Sequence, residues 1–222
     1  MLIDYVFRQP GQVEQLTLTQ NCLYRYLVGQ EGVFLEAHRR GLKTCIPLAS
    51  CEIRGLASVN SYFQLEYPPV PVELVSEMLE LARQAETATG TPTEILFYLL
   101  WQEQGEFWEL ILPEQKGRAS SVRPTDPTNL EYQAALIEVH SHNSMAAFFS
   151  ATDDRDEQGL KLYGVLGKIF EEPQIALRLG VYGQFFPIPA SLVFNLPEGL
   201  EDALFAGFNR LELGGERSCL AE

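Results

Sequence analysis

The histidine pair His140 and His142 is the feature of this chain best suited to chemistry, because the sequence holds only three histidines. One serine separates the two, and on a β-strand that spacing places both imidazoles on the same face of the sheet. Two such imidazoles can bind one Zn²⁺, with a carboxylate as third ligand and water as the fourth. Asp153 follows His142 by eleven residues, which is enough chain to turn back toward the strand. A zinc ion with three protein ligands and one open position is typical of a catalytic site.

Ser150 lies three residues before Asp153, and its position allows two interpretations. Beside a metal, its hydroxyl would donate a hydrogen bond to the oxyanion that forms when water attacks a carbonyl carbon. The pair also has the spacing of a capping box, which would begin a helix at this point. The reaction would further need a carboxylate that takes the proton of the attacking water and returns it to the leaving amine. The histidine pair itself has a simpler interpretation, as two residues that flank a loop.

The elements that must position these residues are mostly strands with a few helices. Apolar residues at three- and four-residue spacing predict a helix over residues 71–87. Apolar and alternating runs predict strands at 94–100, 107–112, 134–139, 160–170, 174–186 and 191–195. Residues 113–129 contain three prolines and several polar residues, so they predict a loop. A helical pattern returns at residues 200–211.

Residues 1–65 differ from the rest of the chain in pattern. Runs rich in β-branched, aromatic and apolar residues predict strands at 23–28, 32–37 and 43–48. A segment with three prolines at 67–71 follows and marks a boundary. We therefore expect a small β-rich N-terminal region of unknown role at 1–65 and an α/β or α+β domain at 66–222.

Composition and missing motifs argue against several classes of partner and of enzyme. The chain has 222 residues with 16 Lys+Arg and 30 Asp+Glu, a net charge of −14 that would repel nucleic acid and anionic membranes. Its longest apolar run is far shorter than the ~20 residues of a membrane-spanning helix, and its start lacks the basic residues of a signal peptide, so we expect a cytoplasmic protein. The four cysteines form no Cys-x-x-Cys pair, which argues against a cysteine zinc site and against a nucleobase deaminase. The His-Glu-x-x-His string of another metalloprotease class is absent.

The segment from His140 to Asp153 resembles the signature of the JAB/MPN domain metalloproteases, also called JAMM proteases. That signature reads His, Ser or Thr, His, seven residues, Ser, two residues, Asp, and every motif residue and spacing matches. The resemblance covers residues 66–222. It implies that His140, His142 and Asp153 bind zinc and that Ser150 supports the oxyanion. Known members of the family cleave isopeptide or peptide bonds at the C-terminus of ubiquitin, ubiquitin-like proteins or sulfur-carrier proteins.

The same resemblance implies a catalytic glutamate that follows the first helix and opens a strand. Glu94 occupies that place, 46 residues before His140. Glu138 is the alternative because it shares a strand face with His140, although its closeness to the ligands favours a supporting role. Two positions depart from the family pattern. Phe97 stands where glycine is frequent in the family, and we expect its side chain to alter the channel for a substrate tail. Asn143 stands where proline is frequent.

The fold implied by the resemblance is α/β (α+β), a mixed β-sheet flanked by helices with cytidine-deaminase-like layering. The extra N-terminal region makes the chain similar to the bacterial branch of the family, which includes protein A of the ParB- and ThiF-related cassette. The implied function is a Zn²⁺-dependent isopeptidase or peptidase acting on the C-terminal tail of a ubiquitin-like or sulfur-carrier-like protein, with an E1-like (ThiF-like) protein as a further partner. The alternative is a catalytically silent MPN scaffold that binds other proteins, and the complete set of metal ligands argues against it.

Overall fold

The computed structural model describes residues 2–11, 22–126 and 128–204, and this part of the chain divides into two compact units. The first unit combines the N-terminal residues up to Pro68 with the segments Glu157–Lys161 and Gly180–Phe186. The second unit contains the remaining described residues. The boundary that the sequence predicts between residues 65 and 66 stays a prediction. None of the described helices is long and apolar enough to cross a membrane.

The first unit is built on a five-stranded sheet in the order β1-β2-β3-β4-β5. Its strands are β1 (Leu2–Phe7), β2 (Cys22–Gly29), β3 (Gly32–Arg39), β4 (Leu42–Ser50) and β5 (Tyr62–Leu65). β1 runs parallel to β2, and the other neighbours are antiparallel. Leu27, Phe34 and Cys45 from the three central strands form a buried cluster on one side of this sheet. The strands predicted at 23–28, 32–37 and 43–48 are therefore confirmed.

The larger sheet is mixed and has the order β13-β12-β11-β10-β6-β7, with β14 paired to β12. Its strands are β6 (Leu96–Gln102), β7 (Phe107–Ile111), β10 (Ile137–His142), β11 (Leu160–Gly167), β12 (Gln174–Val181), β13 (Gln184–Pro187) and β14 (Glu201–Asp202). The central strand β10 is parallel to β11 and antiparallel to β6. The described helices are α1 (Val72–Gln84), α2 (Leu130–Ala134) and α3 (Asp153–Asp156), with a 3-10 turn at Ala190–Leu192. A mixed sheet with few helices agrees with the predicted α/β class.

Helix α1 forms where the apolar spacing predicts it, because Val75, Met78, Leu79 and Ala82 are all buried on one face. It ends at Gln84, three residues before the predicted end. The carbonyl oxygen of Ala85 accepts a hydrogen bond from the Thr93 N–H, 3.0 Å away, so the chain turns back at this point. This reversal leads directly from the helix into the segment that carries Glu94.

Two predicted elements are wrong, and a third is wrong over the residues that the structure describes. The segment 113–129, predicted as a loop, contains the antiparallel hairpin of β8 (Gln115–Arg118) and β9 (Ser121–Pro124). The Glu94 N–H donates a hydrogen bond to the Arg118 carbonyl, and the Leu96 N–H donates to Gln115 Oε1, so the hairpin is held by residues that a local sequence pattern does not include. The strand predicted at 191–195 is largely the 3-10 turn, followed by a single bridge between Phe194 and Val70. Of the helix predicted at 200–211, residues 200–204 contain strand β14 and a turn, and the remainder lies outside the described residues.

Candidate metal centre

The side chains of His140, His142 and Asp153 converge. Their candidate ligand atoms all lie within 4.8 Å of one another. The two histidine Nε2 atoms are 3.2 Å apart, and the His140 Nε2 is 3.7 Å from Asp153 Oδ1. Ligand atoms on a tetrahedral zinc, each ~2.0–2.1 Å from the metal, are about 3.4 Å from each other. These spacings therefore suit the binding of one divalent ion, with both imidazoles on one face of β10 as the spacing predicts.

The tautomer of His142 suits a metal at this point. The His142 Nδ1 lies 3.2 Å from the carbonyl oxygen of Ala146, an arrangement that assigns the proton to Nδ1 and leaves Nε2 unprotonated. Burial lowers the pKa of His140 and also that of His142. Neutral imidazole is the form that binds a metal, so the site needs little protonation change to accept one.

Gly167 allows the loop after β10 to reach His142. It lies opposite His142 in the parallel pairing of β10 and β11. A Cβ on Gly167 would lie 2.1 Å from the Ala147 nitrogen and 2.4 Å from the Ala146 carbonyl carbon, far inside van der Waals contact. Glycine at this position therefore permits the close approach that brings the Ala146 carbonyl to His142. Gly167 was not among the predicted site residues, although a glycine at a strand end is a known signal of close backbone approach.

Asn143 begins the same loop in a conformation that explains one departure from the signature. Its φ is +33°, a left-handed value that asparagine tolerates and that proline, restricted to about −65°, does not adopt. The Asn143 carbonyl accepts a hydrogen bond from the Ile169 N–H at 2.9 Å, and its Nδ2 donates to the Ala119 carbonyl at 3.3 Å. The asparagine thus belongs to a loop path that differs from one built on proline.

Ser150 and Asp153 form a capped turn that begins α3. The Ser150 Oγ accepts hydrogen bonds from the backbone N–H groups of Thr152 and Asp153, at 3.2 and 3.3 Å. In return, the Ser150 N–H donates to Asp153 Oδ2 at 2.6 Å. The capping interpretation of this pair is therefore correct, and it does not use the hydroxyl proton of Ser150. The two carboxylate oxygens of Asp153 have different contacts: Oδ2 accepts the hydrogen bond within the turn, and Oδ1 faces His140.

Glu94 is buried close to these ligands. Only 4% of its surface is exposed, and its Oε1 atom is buried with no hydrogen-bond partner among the described residues. Burial raises the pKa of Glu94 to about 7, and the nearby Asp153 carboxylate adds to the increase. A buried carboxylate oxygen without a partner is costly, so a polar group such as a water molecule at this point would stabilise it.

The backbone around Glu94 is held by the serine between the two histidines. The Ser141 N–H donates to the Ile95 carbonyl at 3.0 Å, and the Ile95 N–H donates to Ser141 Oγ at 3.1 Å. On the other side, the Glu94 N–H donates to the Arg118 carbonyl of the β8–β9 hairpin at 2.8 Å. Sequence reasoning assigned no role to Ser141. Its place inside the His-Ser-His string was the signal that could have found it.

The two other residues singled out by sequence lie elsewhere. Glu138 pairs across the strands with Tyr98, whose pKa is raised by burial and secondarily by the Glu138 charge. Phe97 is fully buried and pairs with Val139, so alternation places it on the sheet face opposite His140. The expectation that Phe97 alters a substrate channel at the metal site is therefore wrong, because its ring packs in the core behind the strand.

Two comparisons with known proteins give different results. Residues 71–180 match the model of a family described as prokaryotic homologs of the JAB domain. The match begins just before α1 and ends within β12, so it contains Glu94, both histidines and the turn with Asp153. A comparison with curated proteins finds no match.

Proposed function

Because this chain belongs to the JAB domain family through residues 71–180, we propose that it is a zinc-dependent isopeptidase or peptidase. The observation that carries the proposal is the convergence of two imidazoles and one carboxylate beside a buried glutamate whose Oε1 has no hydrogen-bond partner in the described part of the chain. His140, His142 and Asp153 would hold the metal. When bound, Zn²⁺ acts as a Lewis acid toward the scissile carbonyl and lowers the pKa of a water molecule. The cytidine-deaminase-like layering expected of this family stays part of the proposal.

Glu94 and Ser150 have separate roles in the proposed reaction. Glu94 takes a proton from the attacking water and delivers it to the nitrogen of the leaving amine, so that one carboxylate serves both steps. Burial and the nearby Asp153 carboxylate raise the pKa of Glu94 to about 7. A carboxylate with a pKa in this range can both accept and return a proton. The Ser150 hydroxyl donates its hydrogen to the carbonyl oxygen as charge develops there. The capping bonds leave this hydrogen available, because they use only the oxygen atom.

The proposed substrate is the C-terminal tail of a ubiquitin-like or sulfur-carrier-like protein, and an E1-like (ThiF-like) protein is the proposed further partner. The family resemblance supports this choice. An extended tail can add to an exposed sheet edge through main-chain hydrogen bonds, which would bring the scissile carbonyl to the site. Membership of a ParB- and ThiF-related cassette and a cytoplasmic location stay predictions.

The test combines metal content with cleavage. The full chain, loaded with one equivalent of Zn²⁺, should cleave a fusion in which a ubiquitin-like tail precedes a reporter. Glu94→Gln should retain the zinc and lose cleavage by about 10²–10⁴-fold, as expected on removal of a general acid–base group. Glu138→Gln is the matched control and should keep most of the activity.

Two outcomes would contradict the proposal. Full cleavage by Glu94→Gln would remove the assigned base. A zinc content well below one per chain, together with no cleavage, would favour the silent MPN scaffold.

A further inference from the structure

Arg178 is a buried cation of strand β12 that the signature does not include. Only 5% of its surface is exposed. Its Nη1 donates a hydrogen bond to Asp154 Oδ1 at 2.6 Å, and its guanidinium carbon lies 3.9 Å from the ring centroid of Phe149. Guanidinium groups favour these two contacts, since they pair with carboxylates and stack on aromatic rings. A buried arginine of β12 therefore contacts two residues of one short segment.

That segment carries the third metal ligand. Phe149 directly precedes Ser150, and Asp154 directly follows Asp153, so the contacts of Arg178 lie on both sides of the capped turn. The helix within it, α3, has four residues and none of them is buried. A helix of this length has little stability of its own, and its position depends on contacts with the rest of the domain.

The capping bonds and the outer ion pair do not replace this contact. The bonds between Ser150 and Asp153 fix the shape of the turn, but both groups belong to the turn itself. Arg123 on β9 also reaches the turn, with Nη2 3.2 Å from Asp156 Oδ2, but those side chains are 69% and 53% exposed. An exposed ion pair contributes about 0–1 kcal/mol. Arg178 differs from Arg123 in its own burial, because its side chain is only 7% exposed although that of Asp154 is 51% exposed, and in its additional contact with the Phe149 ring.

We propose that Arg178 is a positioning residue that holds Asp153 at the distance needed to bind a metal together with His140 and His142. This inference rests on the proposed function, because it assigns a role toward the same metal. Lysine would keep the charge but would lose the planar contact with Phe149.

The test measures metal affinity rather than activity. The full chain and its variants are titrated with Zn²⁺ in competition with a chromophoric chelator, and the Co²⁺ forms are compared by visible absorption. Outer contacts of metal ligands typically change metal affinity 10–100-fold, so Arg178→Met should bind Zn²⁺ about 10–100-fold more weakly and should alter the Co²⁺ spectrum. Arg178→Lys should restore part of the affinity.

Milder variants and a matched control separate positioning from folding. Asp154→Asn and Phe149→Leu each remove one contact of Arg178 and should weaken Zn²⁺ binding less than Arg178→Met does. Arg155→Met is the control, because Arg155 lies in the same turn and donates to Thr152 Oγ1 within it. It should bind Zn²⁺ as the unmodified chain does.

The results distinguish this inference from the proposed function. Unchanged Zn²⁺ affinity and an unchanged Co²⁺ spectrum in Arg178→Met, with tight binding by the unmodified chain, would overturn the positioning role alone. If Arg178→Met loses only thermal stability without metal while Asp154→Asn and Phe149→Leu bind normally, the role is structural and the inference is wrong. Failure of the unmodified chain to bind Zn²⁺ would overturn both proposals.

Discussion

The substitution Gly167→Ala tests how the loop after β10 supports His142. The added Cβ would lie 2.1 Å from the Ala147 nitrogen, whereas ordinary contact begins near 3.4 Å, so the loop must move by about 1.3 Å. The Ala146 carbonyl, now 3.2 Å from His142 Nδ1, would then lie at about 4.5 Å, beyond hydrogen-bond distance. His142 would lose the contact that selects its tautomer.

The expected magnitudes follow from these displacements. Loss of an outer partner of a ligating histidine should weaken Zn²⁺ binding about 10–100-fold. Crowding a packed position costs about 1–3 kcal/mol, which for a chain of this length lowers Tm by roughly 2–12 °C. Zinc affinity is measured by chelator competition, and Tm is measured by calorimetry on protein freed of metal.

Gly164→Ala is the matched control on the same strand. Its Cβ would face the Val139 side chain at 3.1 Å on the opposite side of the sheet from His140. It should lower Tm by a few degrees and leave Zn²⁺ affinity unchanged. The reasoning is refuted if Gly167→Ala binds Zn²⁺ as tightly as the unmodified chain, because the loop would then be unnecessary for His142.

Three other predictions concern Asn143, Ser141 and Arg25. Asn143→Pro cannot adopt a φ of +33° and should destabilise the protein by more than about 1 kcal/mol in denaturant unfolding, while Asn143→Gly should be tolerated. Ser141→Ala leaves the Ile95 N–H without its acceptor, so it should cost about 1–3 kcal/mol and reduce cleavage with Zn²⁺ retained; equal cleavage would show that Glu94 is held by other contacts. In the first unit, Arg25→Met leaves the buried Glu36 carboxylate without its ion-pair partner and should lower the free energy of unfolding by about 3–5 kcal/mol. Arg25→Met combined with Glu36→Leu should recover much of this stability. A double variant no more stable than Arg25→Met would contradict this last prediction.

The metal centre depends on contacts within one turn and on contacts from distant strands. Within the turn, Ser150 and Asp153 satisfy each other's backbone groups. Across the domain, Ser141 holds the segment of Glu94, and Arg178 contacts both sides of the turn. The three ligands thus come from one stretch of chain between residues 140 and 153, but the contacts that set their distances come from strands far apart in the chain.

The sequence by itself determined the features that repeat over short distances. The two-residue spacing of His140 and His142 set a common strand face, and the apolar spacing of residues 71–87 set α1. The capped start of α3 was also readable, because capping preferences involve residues within a few positions of each other. These properties depend on backbone geometry that every chain shares.

Only the tertiary structure decided which distant residues meet. It placed Glu94 beside Asp153 and Glu138 beside Tyr98, and it buried Phe97 on the far face of the sheet. It also formed the β8–β9 hairpin from a segment without apolar periodicity and gave Gly167 its role. The physical reason is that strand pairing and close backbone approach depend on residues separated by dozens of positions, and local pattern carries no information on which of them pair.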